Sequence, residues 1–112
     1  MQPLKLVETT PGHYSLLLTA GDTPSDTAVD EAGHEPNGYF WEGMAEWLIR
    51  TRVPELDGRL KFDPEGGMFC AYGTDREALA ALGSVMAEVV NAPERIGALI
   101  ATAEEAGVVF DD

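Results

Sequence analysis

Between Gly21 and Gly38 the chain places Asp22, Asp26, Asp30, Glu31, His34 and Glu35. Such a run of carboxylates around one imidazole invites the question of a divalent cation. The spacing does not suit one. An EF-hand loop alternates its ligands around a central Gly and closes on a late Glu, and zinc would want a second His or a Cys close by. A solvated acidic segment is expected, with no metal and no other cofactor. Glu42 and Glu46 stand four apart, a pairing that acid–base enzymes such as glycosidases exploit in space. On the polar side of a helix, two such carboxylates are expected simply to face water.

Nucleophiles are equally poorly served. None of Ser15, Ser25 and Ser84 sits in a G-x-S-x-G turn, and His13 and His34 have no evident partner in sequence, so no hydrolytic triad is expected. Glu65-Gly66-Gly67-Met68 lacks the spacing and the downstream Lys of a phosphate loop and reads as a turn. Cys70 lies in an apolar run, where a thiol behaves as a small buried hydrophobe. No catalytic residue is assigned.

The elements around these groups follow from pattern. Leu4–Glu8 and His13–Thr19 are β-forming runs joined by Thr-Thr-Pro-Gly, which predicts a hairpin. Residues 20–38, rich in Pro, Gly and acid, read as a loop. From Tyr39, helical spacing puts Phe40, Trp41, Met44, Ala45, Trp47, Leu48 and Thr51 on one side and Glu42, Gly43, Glu46 and Arg50 on the other. Glu46 and Arg50 are in the favourable order for an i,i+4 ion pair, and Pro54 marks where the helix has ended. Arg59–Phe62 and Met68–Tyr72 predict a second hairpin around the link Asp63–Gly67. The Met68 strand, apolar on both faces, is expected to be central and covered. Thr74-Asp-Arg-Glu77 fits a capping box for a helix striped by Leu79, Leu82, Met86, Val89 and Val90. Asn91 could cap a third helix that Gly107 stops, and Val108–Phe110 could add a last strand or pack down.

This order predicts one α+β domain spanning residues 1–112, with about three helices on a mainly antiparallel sheet of four or five strands. A chain of 112 residues can bury roughly two-thirds of its unfolded surface, enough for a core without disulfides. The lone Cys70 fits a reducing compartment. The N-terminus has no export pattern, and no apolar run approaches the ~20 residues that span a bilayer. A cytoplasmic protein that engages neither membrane nor nucleic acid is expected.

Charge is the strongest compositional signal. The net charge is −13, and no Lys or Arg occurs between Lys5 and Arg50. That field repels nucleic acid and anionic lipid and speeds encounter with a basic protein. Four of the nine aromatic residues fall within Tyr39–Trp47. Phe40 and Met44 point to the middle of the apolar stripe, while Trp41 and Trp47 lie at its margins, ~120° apart. A marginal Trp can pack inward or anchor a partner.

The segments Gly38–Gly43 (GYFWEG) and Phe62–Leu79 (FDPEGGMFCAYGTDREAL) resemble immunity protein family 51 of bacterial polymorphic toxin systems. Trp41, Glu42, Asp63, Pro64, Phe69 and Tyr72 match that family's pattern. The resemblance implies a non-enzymatic protein that binds and neutralises a cognate toxin domain. Many toxin domains that attack nucleic acid are basic, so Asp22, Asp26, Asp30, Glu31 and Glu35, with Trp41, Glu42 and Glu46, are the expected contact surface. Two other readings stay open. One is a small ligand-binding or catalytic domain whose pocket lies near the Trp-rich helix; the other is a nucleic-acid mimic that occupies DNA-binding enzymes.

Overall fold

The computed structural model describes residues 1–111. Strands β1 (Lys5–Thr10) and β2 (His13–Thr19) form the first hairpin. Short helix α1 (Asp26–Glu31) and long helix α2 (Gly38–Arg52) follow, and a 3-10 turn at Pro54–Leu56 leads to β3 (Lys61–Phe62) and β4 (Met68–Gly73). Helices α3 (Arg76–Val90) and α4 (Pro93–Glu105) complete the order. The sheet runs β1-β2-β4-β3, antiparallel throughout. This is an α+β fold.

Period two in the strands decides what the sheet presents. Leu16 pairs with Ala71 and Leu18 with Phe69, and all four are buried under the helices. Phe40, Trp41, Met44 and Leu48 of α2 and Leu79, Leu82 and Met86 of α3 fill the layer above them, with Ile96 and Ile100 of α4 alongside. The other face is a correction to the covered strand expected from sequence. β4 is central, but Met68 and Tyr72 are 36% and 39% exposed, since the helices all lie on the opposite side. Apolar groups on both faces reflected a half-open sheet.

The expected loop at 20–38 contains α1, and its interior is buried. Val29 and Ser25 have no exposed surface. The Ser25 hydroxyl donates to the Val90 carbonyl at 2.7 Å, in the last turn of α3, where backbone acceptors lack a helical donor. A Ser25→Ala variant is expected to lose about 1–3 kcal/mol, the cost of stranding a buried carbonyl. Urea unfolding measures this, and a loss of only a few tenths would refute the role.

Two caps also differ from expectation. Asp75, rather than Thr74, caps α3: its carboxylate accepts from the Ala78 amide at 3.0 Å and from the Arg59 guanidinium. The Ala78 amide and Arg59 together hold the Asp75 carboxyl below its usual range. A carboxylate serves an exposed helix start better than a hydroxyl, because it also meets the helix dipole and a cation. Asn91 closes the end of α3 instead of opening α4, and its side-chain amide donates to the Gln2 carbonyl. Gly107 stops α4 as expected, with φ +95° and the Val108 amide returning to Ala103. Val108–Phe110 forms no strand. Phe110 is buried and stacks on Phe40 at 5.0 Å.

Candidate functional site

Helix α2 carries three of the eight contact residues expected from sequence, Trp41, Glu42 and Glu46, and its start fixes how they are aimed. The Asn37 side chain accepts from the Phe40 amide at 2.9 Å. Gly38 seats the first turn directly on the β3–β4 loop, its amide donating to the Gly66 carbonyl. From there the stripe turns Phe40, Trp41, Met44 and Leu48 inward and leaves Trp47 half-buried on the flank. Ile49, 6% exposed, joins the core, whereas Thr51 is exposed and donates back to the Trp47 carbonyl. Gly43, expected on the solvent side, is half-buried because the Phe110 ring lies across it.

On this flank lies a cleft of about 540 Å³. Glu46, Trp47 and Arg50 form one wall, Pro54 and Phe62 another, and Val108 and Val109 of the C-terminal segment a third. Val109 is 79% exposed at its lip. The expected Glu46–Arg50 ion pair does not form. Arg50 instead lays its guanidinium over the Trp47 ring, 5.2 Å from the centroid. Glu42 stands one turn up the helix from Glu46. Its carboxyl is pushed above the ordinary range by partial burial, then by Glu46 and by Asp111.

The sequence-derived contact residues scatter over several environments. Asp22, Asp30, Glu31, Glu35 and Glu46 are exposed, and Glu42 is half-buried. Asp26 is committed locally: its carboxylate accepts from the Thr23 hydroxyl at 2.6 Å and from the Thr23 amide. Trp41 has no exposed surface, and its ring meets Phe40 edge to face. It therefore cannot reach a partner and serves the core. Helix α1 packs on α4, and the segment after it brings His34 against the edges of the stacked Phe40 and Phe110 pair, within 3.2 Å of Glu104. Arg50, Phe62 and Val109 were not singled out from sequence, whereas Trp47 was, as one of two marginal Trp residues that could pack inward or anchor a partner. The signal for Trp47 and Arg50 was present in their i,i+3 spacing on the margin of the stripe.

No group of three or more His, Cys, Asp or Glu among the described residues is placed to hold a metal ion. Cys70, expected to be buried, is half-buried on the open sheet face, and partial burial pushes its thiol up, with Asp63 and Glu65 adding to the rise against a Ser15 hydrogen bond. No helix among the described residues is long and apolar enough to cross a membrane. The model of the immunity protein 51 family matches residues 4–105. The chain belongs to that family. As an immunity protein it has a non-enzymatic role and a protein partner, a toxin. No curated protein and no solved structure matches the chain. Of the residues that carry the family resemblance, Trp41 and Phe69 are buried in this immunity protein, Glu42 and Pro64 are half-buried, and Asp63 and Tyr72 are exposed. The match ends at Glu105, so the Val108–Val109 wall of the cleft lies beyond it.

Proposed function

We propose that this immunity protein neutralises a basic toxin domain through an acidic surface formed by Asp22, Asp30, Glu31 and Glu35 together with Glu42 and Glu46 beside the Trp47 cleft. The supporting observation is the charge distribution: −13 overall, with these acids falling in the segment from Leu6 to Ile49 that contains no Lys or Arg. A field of that sign steers a basic partner into contact and competes with the phosphate backbone for its binding face. The first such surface expected from sequence also included Asp26 and Trp41. Asp26, hydrogen-bonded to Thr23, and Trp41, without exposed surface, are left out of the surface proposed here.

Co-expression with candidate toxin domains is expected to find one whose growth arrest this protein relieves, and the purified complex gives the rates. A triple variant carrying Asp22→Lys, Asp30→Lys and Glu31→Lys is expected to slow association by about tenfold or more at low salt and to flatten its salt dependence. All three side chains are exposed, so the fold tolerates the change. An association rate that is the same for variant and wild type at every salt concentration would refute an acidic docking face. A ligand-binding reading has one observation in its favour, since about 540 Å³ is within the range of small-molecule sites.

A further inference from the structure

The Trp47 cleft combines features that single out one kind of occupant. It is lined by the aromatic Trp47, by the apolar Phe62, Pro54 and Val109, and by the carboxylates of Glu46 and Asp57. The face of Trp47 is already covered by a guanidinium from the same chain. Arg50 makes no ion pair among the described residues, while Arg52 is held by Glu88 and Arg59 by Asp75. Glu46, four residues before Arg50, is likewise without an ion pair there, so its carboxylate stands ready for a cation beside an aromatic face that Arg50 shows can seat one. A planar cation stacked on an indole gains about 0.5–2 kcal/mol, more as water is excluded.

We infer that the cleft receives one arginine or lysine side chain of the toxin, its cationic head stacked on Trp47 and paired with Glu46, with Arg50 swinging aside as an internal stand-in. The inference rests on the toxin-binding reading above and adds the residue chemistry that the toxin must supply. It also separates two roles. The exposed acids around α1 act on the approach of the partner, whereas the cleft acts on how long the partner stays.

The test uses the complex of the immunity protein with the toxin domain it neutralises on co-expression, followed by dissociation kinetics. Trp47→Ala is expected to raise the dissociation rate about 30-fold, the scale of an anchoring Trp. Because Trp47 also packs partly on the core, Trp47→Phe and Glu46→Gln serve as gentler variants, each expected to cost three- to tenfold with an unchanged melting temperature. Arg50→Lys keeps the charge but stacks less well, and is expected to slow dissociation about threefold by vacating the ring. Single Ala substitutions of the toxin's Arg and Lys residues should include one whose effect vanishes in the Trp47→Phe background. Dissociation within twofold of wild type in Trp47→Phe and Glu46→Gln, or additivity with every toxin cation, would overturn the inference. Neither result touches the acidic docking face, which is judged by association rate and salt dependence. Conversely, a triple Lys variant with unaltered association would sink that face and leave the cleft standing.

Discussion

A Gly38→Ala variant is expected to lose on the order of 3 kcal/mol or more of stability, a large share of what a domain of this size holds. Gly38 is buried at the first turn of α2. A Cβ there would overlap the carbonyl oxygens of Glu65 and Met68 and lie 2.8 Å from the Met68 carbonyl carbon. Neither carbonyl can move freely. The Met68 oxygen accepts from the Glu65 amide at 2.8 Å and the Glu65 oxygen from the Met68 amide at 3.2 Å, which closes the β3–β4 loop. A methyl group at residue 38 must therefore push α2 off the sheet or open the loop, and either movement displaces Phe40 and Trp41 from the core. Gly66→Ala is the control, because nothing lies within 4 Å of its added Cβ. Urea unfolding of the two variants decides the matter, and equal midpoints would show that the contact at Gly38 is not what holds α2 in place.

Trp41→Ala is expected to cost about 3–5 kcal/mol, the range for deleting a fully buried large aromatic. The ring has no exposed surface and meets Phe40 at 5.0 Å, edge to face. Phe40 in turn stacks on Phe110. Losing Trp41 thus loosens a chain of three rings that pins the C-terminal segment against α2. Trp41→Phe should cost distinctly less. It keeps most of the apolar contact and removes an indole N–H that is buried without a hydrogen-bond partner among the described residues, and such an orphan donor is itself unfavourable. Thermal melts rank the variants. Toxin affinity measured on the folded fraction of Trp41→Phe should match wild type, and a large loss there would return Trp41 to the contact surface.

The two Trp residues illustrate how far helical periodicity carries a reading. Spacing placed both at the margins of one stripe, and nothing local separates them. The difference comes from what crosses α2. The sheet and Phe40 close over the Trp41 margin, while the 3-10 turn and the C-terminal segment leave an opening at Trp47. The same limit explains α1. Six residues with one fully buried Val29 are too few to show a period, and what orders them is contact with α4 and the bond from Ser25 to Val90, 65 residues away. It also explains the face of β4. An alternating run of apolar residues reads the same whether its second face is covered or merely half-shielded by neighbouring strands.

The α+β class, both hairpins, the three long helices, the acidic field and the family resemblance were all legible in the residues alone. These follow from local periodicity, turn residues and composition, which act over a few residues or sum over the whole chain. Only the tertiary structure decided the strand order β1-β2-β4-β3, the open sheet face, the burial of Trp41 and the cleft at Trp47. The cleft needs α2, the turn after it, β3 and residues 107–109 to converge. That convergence depends on contacts between segments far apart in sequence, which no local pattern encodes.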